Sequence, residues 1–360
     1  MRERIGVLTG GGDCPGLNAV IRAVVKAAAG QGWETLGIRD GFEGLLSPVR
    51  AELIDPAQTD DLLTRGGTIL GTTNKGRFAA KVGLGEARRI DPAIIAEAKR
   101  TTEELGLRAL ICIGGDGSLS IAQQLWEAGI PVVGIPKTID NDLDATLLTF
   151  GFDSAVECAV DALDRLRTTA ESHGRVMVLE VMGRHAGWIA AYAALAGGAD
   201  IVLIPEIEFS YEAVCARIRE MEAEGREHVL VLVAEGAKAR GESQALVGDR
   251  GARGEVRLGG IGAAVGREIE ERTGKETRVC VLGHLQRGGI PKPLDRQLCT
   301  RFGVRAVQLI AEGKYGYMVA CRPPDMPAVP IIEAVGRLRT VPPDGELVKT
   351  ARLIGITFGN

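Results

Sequence analysis

Two glycine-rich segments carry an aspartate where a bound phosphate would be met. Gly114-Gly-Asp-Gly-Ser118 follows the apolar run 109–113 and precedes a helix-like run at 119–127. Glycines at a strand-to-helix turn let backbone amides approach an oxyanion, and the helix N-terminus adds the positive end of its dipole. A bare carboxylate there would repel phosphate unless a cation lay between them. Asp116 therefore reads as a Mg²⁺ contact beside a phosphate chain; the alternative is a plain βα turn with Asp116 as helix N-cap. The second segment, Gly10-Gly-Gly-Asp-Cys-Pro-Gly-Leu-Asn18, follows a strand-like run at Arg4–Thr9 and precedes a helical run at 19–29. One glycine-rich turn is a weak signal. Two with the same Gly-Gly-Asp order, each after a short strand, are a stronger one.

A third segment could supply a base. Pro136-Lys-Thr-Ile-Asp-Asn-Asp142 closes the apolar run 130–136, and Asp140, Asp142 and Asp144 fall within five residues. Open α/β sheets place ligands at the carboxyl ends of their strands, and an aspartate there can take a proton from a substrate hydroxyl. An Asx-rich turn accounts for the same residues equally well. Cations collect near such places. Arg65, Lys75 and Arg77 lie in the polar loop 64–78, and Arg175, Arg184, Arg278 and Arg287 flank strand-like runs near Met182, Glu235 and His284. Each arginine alone is an ordinary surface residue; together they supply the guanidinium groups that a phosphorylated ligand needs. Four histidines without a paired Ser or Cys nucleophile argue against a triad. His284 is expected to bond a substrate or its phosphate, His173, His185 and His228 to be structural, and Trp33, Trp126 and Trp188 to fill core.

The elements that must position these residues alternate along the chain. Strand-like runs at 33–38, 175–181, 201–204, 229–234 and 279–283 interleave with helical runs at 93–105, 152–169, 188–195, 211–224, 261–272 and 295–312. A last short helix is expected near 333–338, and the charged, glycine-rich stretch 236–259 reads as a surface excursion. Alternation of this kind means α/β with mostly parallel sheets. At 360 residues, 45% hydrophobic and 25% charged, the chain has the composition of a soluble globular protein of two domains. A net charge of −4 gives no reason to expect nucleic acid. Seven cysteines without metal spacing favour reduced thiols, and with no apolar run of membrane-spanning length or room for a signal peptide, the expectation is a cytoplasmic protein.

Taken together, Gly10–Asn18, Gly114–Ser118, Pro136–Asp142, Glu180-Val-Met-Gly-Arg184 and Leu282-Gly-His-Leu-Gln-Arg-Gly-Gly289 resemble the motifs of the 6-phosphofructokinases, in family order over nearly the whole chain. The resemblance implies two Rossmann-like three-layer α/β/α domains. A phosphoryl-donor domain would comprise 1–141 plus about 290–340, a sugar-phosphate domain 142–289, and a C-terminal extension 341–360. It implies Mg²⁺-dependent, glycolytic phosphoryl transfer to the 1-hydroxyl of fructose 6-phosphate. By that match Asp140 is the general base, with Thr138, Ile139 and Asp142 beside it and Arg184 assisting. Asp116 belongs to the metal and donor site with Gly12, Gly115, Gly117 and Ser118, and Arg77 and Phe78 match the family's Arg-Phe donor contact. Met182, Gly183, Arg184 and Glu235 match sugar-phosphate contacts, as do His284, Leu285, Gln286 and Arg287. Arg175 and Arg278 match residues that reach the site from a neighbouring subunit, which implies a homo-oligomer, tetramer or dimer.

The chain departs from the family pattern in three ways. Lys137 stands where ATP-using members have Gly and is typical of pyrophosphate-using members. Those members carry Asp where this chain has Gly117. A side chain at 117 would invade the space of a nucleotide's α-phosphate, so its absence favours ATP, with pyrophosphate the alternative. Three extra residues at 74–76 precede Arg77, and the 236–259 insertion and the Pro-rich tail have no counterpart in the short bacterial enzymes. Arg22 and Lys26 fit the family's effector helix, but other effector positions have no visible match. A kinase of another substrate and a catalytically idle nucleotide-binding regulator are the competing readings; the Met182–Arg184 and His284–Arg287 sets oppose the first, and Asp116, Asp140 and the arginines the second.

Overall fold

The computed structural model describes residues 2–73, 76–78, 89–242 and 259–360. Lys75 and most of the 236–259 insertion, namely 243–258, lie outside the described residues. The chain forms two compact units, Met1–Ser154 with Arg287–Leu338, and Ala155–Gln286 with Arg339–Asn360.

The first stretch of the first unit runs β1 (Arg4–Thr9), α1 (Leu17–Gly30), β2 (Glu34–Ile38), β3 (Ala51–Leu53), α2 (Pro92–Glu104), β4 (Leu107–Gly114), α3 (Asp116–Glu127) and β5 (Val132–Pro136). The chain leaves this unit within α4 (Phe152–His173). The second unit follows with β6 (Val176–Val181), α5 (Trp188–Gly197), β7 (Ile201–Leu203), α6 (Tyr211–Ala223), β8 (Val229–Ala234), α7 (Ile261–Thr273) and β9 (Thr277–Val281). The first unit is completed by α8 (Pro293–Ala311), β10 (Tyr317–Val319), β11 (Ala328–Pro330) and α9 (Ile331–Ala334), and α10 (Glu346–Leu353) belongs to the second.

In the first unit seven strands are ordered β11-β10-β5-β4-β1-β2-β3, parallel except for the edge strands β3 and β11. The central strands are buried on both faces, as parallel strands covered by helices must be: Val7, Leu8, Ile111, Cys112 and Val133 are all 0% exposed. α1 lies against α8, and Gly303 makes this approach possible, since a Cβ there would come within 2.6 Å of the Ala23 methyl. A buried carboxylate fixes the turn into α4. Asp295 accepts from the amides of Gly151 (2.8 Å) and Ser154 (2.9 Å) and from the Ser154 hydroxyl (2.6 Å), and burial pushes its pKa up to about 6.

In the second unit four parallel strands are ordered β7-β8-β6-β9. Val178, Val231, Leu203, Phe209, Ile218 and Val265 make its core. Glu180, inside β6 and 3% exposed, accepts from the amides of Gly260 (3.3 Å) and Gly262 (2.8 Å) and so fastens the start of α7. The tail is no separate extension. Val202 N donates to Thr357 O at 2.9 Å and Phe358 is 1% exposed, so the last residues finish the β7 edge of this sheet.

Several expectations need correction. Trp188 is buried, but Trp126 is 37% exposed and packs against Tyr315, with Gly316 against its indole. The last strand of the second unit is Thr277–Val281 rather than 279–283, because Gly283 opens a 3-10 turn, Gly283–Arg287. The short helix near 333–338 is Ile331–Ala334. The seven cysteines, by contrast, are free as expected. Among the described residues no helix is long and apolar enough to cross a membrane.

Candidate active site

β1 and β4 are neighbours, with Thr9 opposite Ile113, so their carboxyl ends deliver the two glycine loops side by side. Gly10 N donates to Ile113 O at 2.8 Å. The helices that follow, α1 and α3, begin at Gly16 and Gly115 with no side-chain cap. By contrast, Asp91 and Ser210 cap α2 and α6. A glycine-started, uncapped helix leaves first-turn N–H groups for an anionic ligand. Asp116 is thus not the N-cap; it is the first residue of α3, and its Oδ1 accepts from Gly336 N at 3.1 Å.

Gly11, Gly12, Gly115, Asp116, Gly117, Ser118, Lys137, Thr138 and Arg287 line one pocket of about 190 Å³. Lys137 is 4% exposed and donates from Nζ to the Gly12 carbonyl. Burial lowers its pKa, with Arg287 adding in the same direction. Arg287 donates from Nη1 to Asp13 O at 3.2 Å. Its guanidinium sits so near the loop that a Cβ on Gly12 would lie 2.6 Å from Nη1. At Gly117 the opposite holds: a Cβ there meets nothing within 4 Å. Cys14, also on this loop, is fully buried and its pKa is pushed up to about 12, so it is no nucleophile.

β5 pairs with β4 through Gly114 and Pro136, which sets the 137–142 turn beside the Asp116 loop. Thr138 Oγ1 accepts from Asp140 N at 3.1 Å, and the Thr149 hydroxyl donates to Thr138 O at 2.7 Å. Asn141, with φ of 50°, accepts from Thr149 N at 3.0 Å; asparagine tolerates that left-handed backbone better than most residues. The turn is therefore pinned at both ends, with Ile139 buried and Asp140 half-buried. Burial and then the Asp140 carboxylate push Asp142 up to about 7, and Asp116 adds to the effect. Three carboxylates thus share one electrostatic neighbourhood. Among the described residues no three His, Cys, Asp or Glu side chains form a ready-made metal cage. One or two carboxylates beside a phosphate pocket suit Mg²⁺, which completes its shell with water and substrate phosphates.

In the second unit Val181 lies opposite Ala234, so Met182–Arg184 and Glu235 emerge together from β6 and β8. Glu235 N donates to Val181 O (2.8 Å) and Gly236 N to Gly183 O (3.2 Å). Gly183 has φ of +136°, which a side chain rarely adopts. Gln286, 1% exposed, accepts from Met182 N at 2.7 Å and donates to Ala155 O at 3.3 Å. Gln286 therefore braces the loop, while Leu285 is 69% exposed and His284 is exposed. His185 is held below its usual pKa by burial and by Arg184.

Five further residues of the expected set lie away from the Met182 loop. Arg175 precedes β6, and Arg278 lies near the start of β9, opposite Met177. Both ion-pair with Glu276. They are thus at the amino end of the sheet, about 20 Å of strand from Met182 at ~3.3 Å per residue. Arg287 contacts the first glycine loop. Neither Arg77 nor Phe78 is among the residues lining the 190 Å³ pocket: Arg77 ion-pairs with Glu97 (3.2 Å), and Phe78 is 3% exposed, packed 5.7 Å from Phe42. Sequence reasoning missed the Gly336 amide on Asp116, because an unremarkable glycine far along the chain gives no signal.

A parallel sheet whose two central strands end in uncapped glycine loops, with a carboxylate turn alongside, defines an α/β phosphate-binding protein. The family model "Phosphofructokinase" matches residues 4–310, and the chain belongs to that family. It is 55% identical over 359 residues to an ATP-dependent 6-phosphofructokinase of Chloroflexus aurantiacus, covering 100% of this chain and 98% of the relative. It is also 51% identical over 344 residues to a pyrophosphate–fructose 6-phosphate 1-phosphotransferase of Amycolatopsis methanolica, covering 95% and 97%. Among solved structures, phosphofructokinase from Saccharomyces cerevisiae superposes with a TM-score of 0.77 at 29% identity, over 92% of this chain and 45% of that one.

Proposed function

We propose that this chain is a 6-phosphofructokinase that transfers the terminal phosphoryl group of ATP to the 1-hydroxyl of fructose 6-phosphate. The observation that carries the reading is the pocket in which Gly12, Gly115, Asp116, Lys137 and Arg287 meet, with the pinned Asp140 turn alongside. In this reading Asp140 accepts the hydroxyl proton as the sugar oxygen bonds to the terminal phosphorus. The bond from that phosphorus to the oxygen bridging to ADP breaks, and ADP leaves with those electrons. Lys137, Arg287 and the first-turn amides of α1 and α3 stabilise charge on the transferred group and hold it in line. Asp116, with Asp142 near it, would hold Mg²⁺, which would supply charge withdrawal from the donor phosphates. Met182, Gly183, Arg184, Glu235 and His284 receive the sugar phosphate.

ATP is the preferred donor because Gly117 borders open space and a carboxylate there would meet a nucleotide's phosphates. Pyrophosphate is the second reading, favoured by the buried Lys137 ammonium on the pocket wall. The first and second units are read as donor and sugar-phosphate domains. Arg175 and Arg278 lie at the wrong end of their sheet to serve their own Met182 loop. Their service to a neighbour's site makes the functional form a homo-oligomer, a tetramer or dimer, and the compartment is the cytoplasm. A coupled assay with fructose 6-phosphate and Mg²⁺, run with ATP and with pyrophosphate, tests the reading; no turnover with either donor sinks it.

A further inference from the structure

The loop 182–187 is held at three places. Gln286 accepts from Met182 N at its start, and Gly236 donates to Gly183 O in its middle. The third hold is of a different kind. Glu206, just after β7, accepts from Gly187 N at 3.0 Å through Oε1, and the same oxygen accepts from Val341 N at 2.7 Å. Gly187 admits this carboxylate because a Cβ there would lie 2.9 Å from Glu206 Oε2. One carboxylate oxygen thus joins the end of the loop to a residue beyond the family-matched stretch, which ends at 310.

A second contact runs between the same two places. Trp188, the first residue of α5, donates from its indole N–H to Arg339 O at 2.8 Å, and the Arg339 guanidinium lies 4.3 Å from the Trp188 ring centre. The C-terminal segment is firm enough to serve as a hold. Val341 is 0% exposed, Val348 1% and Phe358 1%, and Ser210 N donates to Gly359 O at 2.7 Å. A buried amide that loses its acceptor is left with an uncompensated desolvation cost. The loop end, Glu206 and the 339–341 stretch therefore keep their arrangement together or lose it together.

We propose that the C-terminal segment, acting through Glu206 and Trp188, positions the loop 182–187 to receive the sugar phosphate, with Glu206 a positioning residue that touches no substrate. This rests on reading that loop as part of the fructose 6-phosphate site. Glu206→Ala should raise the KM for fructose 6-phosphate about tenfold while the donor KM stays within about twofold. Glu206→Gln, which keeps an acceptor oxygen, should restore most of the loss. Val341→Pro removes one donor, and Trp188→Phe removes the indole N–H and part of the ring under Arg339; each should raise the same KM about threefold. Amide hydrogen exchange gives a readout that needs no substrate: residues 182–187 should exchange faster in Val341→Pro and in Trp188→Phe. Unchanged protection there, or lower thermal stability with an unchanged KM for fructose 6-phosphate, overturns the proposal. If Glu206→Ala does not fold, the Trp188→Phe result decides. A wild-type chain without fructose 6-phosphate turnover would sink the functional reading alone, and hydrogen exchange would still test the coupling.

Discussion

The two strand-end loops, 114–118 in the first unit and 182–187 in the second, follow the same plan and reach opposite degrees of completion. Each leaves a buried parallel strand and turns through glycine into a helix without a side-chain cap. Around the first, the cations, the carboxylate and the amides converge in one pocket of the same unit. Around the second, Arg184 and Glu235 are local, but Arg175 and Arg278 are held by Glu276 at the far end of the sheet. The helix starts differ as well. The α3 start is left for a ligand, whereas the first amide at the α5 start is already taken by Glu206. On the reading proposed above, the donor half is complete within one unit while the acceptor half takes Arg175 and Arg278 from a neighbour, so the comparison makes assembly the variable to test.

The sharpest break should come at the carboxylate turn. Asp140→Ala is expected to lower kcat by roughly 10²–10⁴, the usual contribution of a general base, with an unchanged melting temperature. Near-normal steady-state turnover would reject the base assignment. The borrowed cations come next. Arg278→Ala or Arg175→Ala should raise the KM for fructose 6-phosphate by about 10–100-fold, the value of a charge-assisted contact to phosphate, while leaving the donor KM nearly constant. An equal rise in both constants would place these arginines outside the acceptor site.

A smaller effect tests the donor half. Gly117→Asp should cut kcat/KM for ATP about tenfold by putting a carboxylate beside anionic phosphates, and should improve pyrophosphate relative to ATP; unchanged ATP kinetics would refute the steric argument. The smallest effect concerns pH. Asp142 holds its proton to about pH 7 because burial and Asp140 raise its pKa. Below that pH Asp142 is as neutral as Asn, and above it Asp142 adds a like charge beside Asp140, so Asp142→Asn should leave the acid limb of the kcat profile in place and change kcat only above about pH 7. The sign for stability is separate. An unfolded Asp loses its proton near pH 4, so this group's contribution is fully present below that pH and fades as pH rises through about 7. Asp142→Asn should flatten that slope in urea titrations across the same range.

Much of this frame was legible because parallel strands and glycine turns leave local marks. β1 and β8 coincide with their sequence-read bounds, Arg4–Thr9 and Val229–Ala234, and most helices begin within three residues of expectation. Of the three-residue strands, β7 was read from its continuous apolar run Ile201–Leu203, whereas β3, β10 and β11 offer no such uninterrupted buried run and were not legible. α10 was hidden by the Pro-rich composition around it, although Val348 and Ala351 are spaced for one buried face. In the candidate site, the glycine loops and the 137–142 turn were readable from residue type. Phe78 was read from the family resemblance alone, and its packing 5.7 Å from Phe42 left no mark in the sequence. The holds on the loops were invisible for a related reason. The amides of Gly336 and Val341 act through the backbone, which the side-chain alphabet does not record.

If a neighbour supplies Arg278, as proposed above, its position at the amino end of its strand gives a disabled chain a residual use. A subunit carrying Asp140→Ala keeps both of its lendable arginines, and one carrying Arg278→Ala keeps its base. Neither homo-oligomer should turn over well. When equal amounts are unfolded, mixed and reassembled, every mixed pair contains one site that has a base and receives a neighbour's arginine. Random pairing of such dimers would make about a quarter of all sites whole. Two inactive preparations would then regain activity on mixing.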